Sequence, residues 1–248
     1  MSNFCWLSLT IFCSKIGQSR LSADGKLDLK RIASVINSVS PDFVALQEVD
    51  NQTGRTGKVD QANVLSELTG LYSAYSKALD FQGGVYGNAF LSRHPLTKST
   101  VHRLPNMEGH EQRVLLETEI TLPHHGHKQS ITFITTHVDH VANSPDRPAA
   151  IPVIEALAKQ MSHPVFLAGD MNAAPESAEM TELMKTFTPA NQDASLLTSP
   201  AEHPRRQIDY IFYYPSTRWK TKQVEVLDEA VASDHRALFA VLELQVND

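Results

Sequence analysis

The sequence predicts a mixed α/β domain in which two packed sheets are covered by helices. Three observations lead there. The chain has 248 residues and no linker rich in Pro, Gly or Ser, which suits one large domain spanning residues 1–248. Segments rich in β-branched and aromatic residues, bounded by Gly, Pro and Asp, recur along its length and read as strands. Few segments carry helical periodicity, and many strands with few helices in one domain need a sheet-on-sheet core.

The elements follow in order. Residues 4–13 (FCWLSLTIFC) read as a buried first strand. The same stretch could be a short signal-peptide core, but it has no basic segment before it and no small-x-small site after it. A cytoplasmic location is therefore favoured over secretion. Residues 29–39 place apolar side chains at 29, 32, 33, 35, 36 and 39, an amphipathic helix, and Pro41 follows its end. Residues 42–49 form an apolar strand with a polar end, and 62–71 a second helix. Strands are expected at 88–92, 114–122, 130–137, 165–168, 208–213 and 238–244, with helices at 148–161 and 176–186. His124, His125 and His127, just after Pro123, read as a hairpin loop.

Composition excludes several classes. Hydrophobic residues make up 42% and charged residues 20%, so a wholly disordered, collagenous or coiled-coil chain is ruled out. The net charge of −6 argues against holding long DNA by bulk electrostatics. Arg205, Arg206, Arg218, Lys220 and Lys222 could still form a local basic rim. Cys5 and Cys13 would lie about 26 Å apart on one strand, too far for a disulfide. No apolar run approaches the ~18 residues of a membrane span, so stable membrane insertion is not expected. A monomer is expected.

The informative feature is where polar residues fall. Several apolar strands end in acidic, amide or imidazole groups: Gln47–Glu48, Thr136–His137, Asp170 with Asn172, Asp209, and Asp234–His235. Charged groups are rarely buried unless paired or metal-bound. Such groups at neighbouring strand ends can converge on one pocket. They offer hard oxygen ligands, which suit Mg²⁺ or Mn²⁺, and no thiolate cluster that would suit zinc.

Six motifs then occur in order: QEVD at 47–50, GNAFLSRHPL at 87–96, TTHVDH at 135–140, GDMN at 169–172, QIDYIFY at 207–213 and SDHRAL at 233–238. Each alone is weak; together they resemble the endonuclease/exonuclease/phosphatase (DNase I-like) superfamily, over about residues 17–244. The resemblance implies a four-layer α/β/β/α sandwich with a pocket at one end of the sheets. It also implies divalent-metal-dependent phosphoester hydrolysis by an activated water, with Mg²⁺ or Mn²⁺ as cofactor.

Site roles follow from the same resemblance. Glu48, alone a surface carboxylate, matches the principal metal ligand, and Asp234 a second metal-side carboxylate. Asp170 and Asn172, two apart, would face one cavity if extended; the plain alternative is an Asx-turn. In the family's terms Asp170 activates the water and Asn172 bonds a phosphate oxygen. Asp209 would align His235, which stabilises the transition-state charge; a purely structural pair is the alternative. His137 matches a histidine that contacts the phosphate or assists the leaving group, and could instead be structural at its strand end. Asp139 and His140 are not assigned catalytic roles. Asn88 and Arg93 match substrate-facing positions, with an ion-pair role as the alternative for Arg93.

The N-terminus departs from the pattern. Residues 1–23 are atypical for the family, whereas 24–32 fit it. The family's first strand ends in an aromatic residue and an Asn ligand, and here Cys13 aligns with that Asn; Asn3 lies too early. Either the strand is altered or the natural start differs. The expected substrate is a phosphoester: a small phosphodiester, a lipid head group, a sugar phosphate or a nucleic acid. Two alternatives stand beside hydrolysis of a small ester: a nuclease acting on DNA or RNA, and a catalytically impaired member that serves as a binding module.

Overall fold

The computed structural model describes residues 5–16, 28–124, 127–191 and 196–246. Asn3, Asp24 and His125 lie outside the described residues. The elements are β1 (Cys5–Lys15), α1 (Leu29–Val39), β2 (Phe43–Asn51), α2 (Gln61–Thr69), β3 (Tyr72–Phe81), β4 (Gly84–Ser92), β5 (Leu96–Arg103) and β6 (Val114–His124). They continue with β7 (His127–His137), α3 (Asp146–Gln160), β8 (Val165–Asp170), α4 (Ala178–Leu183), β9 (Thr188–Pro189), β10 (Asp209–Tyr214), β11 (Trp219–Val226) and β12 (Leu238–Val246).

Two six-stranded sheets form, ordered β11-β12-β1-β2-β4-β3 and β5-β6-β7-β8-β10-β9. Between them Leu9, Ile11, Phe43, Phe90, Phe133, Phe166 and Ile211 share one buried cluster. The outer face of the first sheet is covered by α1 and α2 through Ile32, Ala33, Ile36, Ala62 and Leu65. The outer face of the second packs against α3 and α4 through Ile151, Ile154, Ala158, Met180 and Leu183. This is the four-layer α/β/β/α sandwich.

Local chemistry sets the boundaries. Asp28 caps α1 by accepting from the Arg31 N–H at 2.9 Å. The second helix stops at Gly70, whose φ of 72° supplies a left-handed cap that Leu71 could not continue. Four strands not expected from the sequence, β3, β5, β9 and β11, are the edge strands of the two sheets. Exposed polar residues such as Lys98, Ser99, Lys220 and Gln223 interrupt their hydrophobic runs. His124 pairs with His127 as the last rung of the β6–β7 hairpin.

Pairing direction positions the site. β1 runs parallel to β2, and β7 parallel to β8. Their C-terminal ends therefore emerge at the same end of each sheet. β10 is antiparallel to β8, so its first residue, Asp209, lies opposite Asp170. β12 is antiparallel to β1, which returns the preceding loop, with Asp234 and His235, to the end of β1. No helix among the described residues is long and apolar enough to cross a membrane.

Candidate active site

The second sheet supplies a row of buried polar groups. His137 lies opposite Asp170 in the β7–β8 ladder, and Asp170 opposite Asp209 in the β8–β10 ladder. The close approach of β7 and β8 needs Gly169, because a Cβ there would meet the Thr136 carbonyl oxygen at 2.0 Å. Asp170, Asp209 and His235 bring one ligand-type atom each within 4.8 Å of one another.

Asp209 holds His235. Its Oδ2 lies 2.9 Å from His235 Nδ1 and also accepts from the Thr198 hydroxyl. Burial disfavours charge on the imidazole, but Asp209 overcomes it and raises the His235 pKa above its ordinary value. The ring thus donates from Nδ1 to Asp209 and turns Nε2 away from it. Asp170 is fully enclosed. Burial, and then the neighbouring charge of Asp209, push its carboxyl up to about 7. A carboxylate poised near neutrality suits a general base.

Arg113, which the sequence reading did not single out, organises the histidines. It precedes β6 and is 4% exposed. Its Nη1 lies 3.1 Å from His137 Nδ1 and its Nη2 3.0 Å from His140 Nδ1. A guanidinium only donates, so both Nδ1 atoms accept and the neutral rings carry their proton on Nε2. Burial and the Arg113 charge hold His137 well below the ordinary histidine range. Its Nε2 stands 3.7 Å from Asp170 Oδ2.

The first sheet supplies the facing wall. Glu48 occupies a bulge in the β2–β4 ladder and has a left-handed φ of 57°. That conformation is strained for a non-glycine residue and re-aims the side chain. Lys15, the last residue of β1, reaches the same place: its Nζ lies 3.1 Å from Glu48 Oε1 and 3.1 Å from Asp234 Oδ2. Burial opposes its charge, yet Glu48 and Asp234 raise its pKa above the ordinary value. A cleft of about 260 Å³ opens over these groups, lined by Lys15, Glu48, Arg113, His137, His140 and Asn172. Arg55 closes one side, held by Asp50 at 2.7 Å and stacked 4.7 Å from the Phe81 ring centroid.

Several expectations need correction. Cys13, which aligns with the family's Asn, is a free thiol buried in the inter-sheet core, with Sγ 3.6 Å from Gln47 Oε1, and burial and then the Asp209 and Asp170 charges raise its pKa. The residue that reaches the carboxylates is Lys15, two positions on and on the same face of the strand. Asn172 is not extended relative to Asp170. Its φ is 47°, and its N–H donates to Asp170 Oδ1 at 2.8 Å, so the Asx-turn is present while Asn172 still lines the cleft. Arg93 is not at the cleft: its guanidinium donates to the Ser40 and Pro41 carbonyls and to Asp42, at the opposite end of β2 from Glu48. Asn88 is buried at the Glu48 bulge, and its amide donates to the Val114 carbonyl at 3.3 Å, tying the two sheets together. The basic rim divides. Arg205 and Arg206 line a groove that shares Asn172 with the cleft, whereas Lys220 and Lys222 lie on β11, at the outer edge of the other sheet.

Comparison with known proteins agrees with this architecture. A sequence model of the Endonuclease/Exonuclease/phosphatase family matches residues 16–235. An endonuclease/exonuclease/phosphatase from Bacteroides vulgatus superposes with a TM-score of 0.78 at 19% identity, covering 96% of this chain and 99% of that one. A mannosyl-6-phosphatase from Bacteroides thetaiotaomicron gives 0.75 at 15% identity, over 94% of this chain and 99% of that one. The catalytic domain of human Nocturnin, with a bound sulfate anion, gives 0.71 at 18% identity, over 96% and 97%.

Proposed function

The chain belongs to the Endonuclease/Exonuclease/phosphatase family, and we propose that it hydrolyses a phosphoester by in-line attack of a water held by Asp170. The observation that carries this reading is the grouping of Asp170, Asp209 and His235, which meets the cleft through His137, whose Nε2 stands 3.7 Å from Asp170 Oδ2, with the Asp170 carboxyl poised at about 7. The water oxygen attacks phosphorus and its proton passes to Asp170. The opposite P–O bond breaks, and the departing oxygen takes a proton from solvent at the cleft mouth. His235, charged through Asp209, and the Nε2–H of His137 donate to the phosphoryl oxygens, where negative charge grows. The Asn172 amide donates to the Val138 carbonyl at 3.1 Å and helps fix the rim.

Glu48 and Asp234 carry the hard oxygens that Mg²⁺ or Mn²⁺ takes. Both are bonded to the Lys15 ammonium, so a divalent ion does not fit between them as they stand. No step in this reading runs through one.

The substrate class the site favours is a small phosphoester, such as a small phosphodiester, a lipid head group or a sugar phosphate. The cleft of about 260 Å³ suits one phosphoryl group and a little more. The net charge of −6 and the divided basic rim do not make the continuous cationic track that nucleic acids need. A second reading, a binding module, is favoured by one observation: an ammonium already neutralises the carboxylates expected to hold the metal.

The test is a screen of bis-p-nitrophenyl phosphate, p-nitrophenyl phosphate, sugar phosphates, lipid head-group esters and single-stranded DNA. Hydrolysis that falls by about 10²-fold or more in His235→Ala supports the hydrolase. Tight phosphate-ester binding without turnover on any substrate supports the binding module instead.

A further inference from the structure

The cation that faces the cleft belongs to the polypeptide. Lys15 Nζ sits between Glu48 Oε1 and Asp234 Oδ2, 3.1 Å from each, and the side chains of Lys15 and Glu48 are each only 13% exposed. Strand pairing builds this arrangement. Lys15 lies opposite Gln47 in the parallel β1–β2 ladder, next to the bulge that turns Glu48. Cys13 lies opposite Leu238 in the β1–β12 ladder, which brings the Asp234 loop over the end of β1.

Charge arithmetic separates the possible occupants. Two carboxylates and one ammonium sum to −1, the same carboxylates with a divalent ion alone sum to zero, and with both cations they sum to +1. An ammonium and a divalent ion held together there would repel each other across a few ångströms in a partly buried site, where screening is weak. An ammonium has three donors, and two of them are met by Glu48 and Asp234.

We propose that Lys15 is the resident cation of this site: its ammonium fills the place between Glu48 and Asp234, keeps a divalent metal out, and offers its third N–H to a phosphoryl oxygen entering the cleft. The first two clauses stand on the geometry alone; the third rests on the hydrolase reading. The cleft then draws its remaining positive charge from Arg113 and Arg55, both of which line it.

Manganese binding followed by electron paramagnetic resonance tests the proposal without relying on activity. Chelator-treated wild type is expected to bind no Mn²⁺ that Glu48→Gln removes. Lys15→Asn, and independently Lys15→Met, are expected to bind one equivalent, at least about a hundredfold tighter than any residual Mn²⁺ binding by wild type, because a unit charge beside the ion is gone. Glu48→Gln in either background should abolish that binding. Wild type is also expected to hydrolyse its ester equally fast with and without chelator, whereas Lys15→Asn becomes dependent on added Mg²⁺ or Mn²⁺. One equivalent of Mn²⁺ on wild type that Glu48→Gln removes overturns the proposal, whatever the activity and whether or not the variants fold. The expected binding pattern with no turnover by any form overturns the hydrolase reading and upholds Lys15 as the resident cation.

Discussion

His235 Nδ1 lies 2.9 Å from Asp209 Oδ2, and the same nitrogen is 3.8 Å from Asp170 Oδ2. One imidazole therefore stands between two buried carboxyl groups with different tasks. Asp209 charges and aims the ring. Asp170, whose pKa is raised by burial and by Asp209, is left to take a proton.

Asp209→Asn should remove the partner that keeps His235 protonated. The His235 pKa, raised in the wild type by Asp209 against the effect of burial, is expected to fall below the ordinary value. Turnover should drop by about 10²-fold or more. NMR titration of the imidazole and steady-state kinetics read the two effects separately. In the wild type the stability contributed by the pair is present below the ordinary histidine pKa and lost as pH rises through the raised one.

Asp170→Asn should stabilise the protein near neutral pH while removing its base. The raised pKa means that the folded state holds a proton the unfolded chain has released, so wild-type stability falls as pH rises from about 4 toward about 7. The amide removes that penalty. A gain on the order of 1 kcal/mol, or about 2–4 °C in the thermal midpoint, is expected above pH 7 and none at low pH. Differential scanning calorimetry at two pH values checks it.

Arg113→Gln should release both histidines. The His137 pKa, held low by burial and by the guanidinium, is expected to rise toward its ordinary value, and the fold should lose about 2–4 kcal/mol because a buried charge network is broken. In the wild type His137 is neutral when folded, so acid weakens the fold as pH drops below the ordinary histidine pKa. Chemical denaturation across that range should show a shallower acid loss in the variant.

Gly169→Ala should disrupt the pairing of β7 with β8. The added Cβ would lie 2.0 Å from the Thr136 carbonyl oxygen, a backbone atom that cannot rotate away. A loss of about 3 kcal/mol or more, or failure to express as a folded protein, is expected. Urea denaturation gives the number.

Much of this was legible in the sequence, for physical reasons that differ by residue. Val44–Leu46, Phe133–Ile134 and Phe166–Leu167 are buried within sheets, so their apolar runs announced strands, and the polar residues ending those runs announced the site. β5 and β11 gave no such signal, because these edge strands bury almost none of their side chains fully. Arg113 stayed hidden: an arginine before an apolar strand reads as a solvated end, and only the fold brings His137 and His140 to it. Lys15 was visible in principle. It ends the first apolar run two residues after Cys13, and period two places it on the same face. Arg93 misled because its motif neighbours are buried in β4 while its own side chain turns back to Asp42.

The decisive measurement is the pH–rate profile of ester hydrolysis in wild type and Asp170→Asn. The wild-type rate should climb as the Asp170 carboxyl loses its proton, through about pH 7, and fall again at higher pH as His235 gives up the proton that Asp209 holds on it. The variant should lose that limb and about 10²–10⁴-fold in rate. A variant that keeps the wild-type rate and the same rising limb would show that Asp170 is not the base, and water activation at this carboxylate would have to be abandoned.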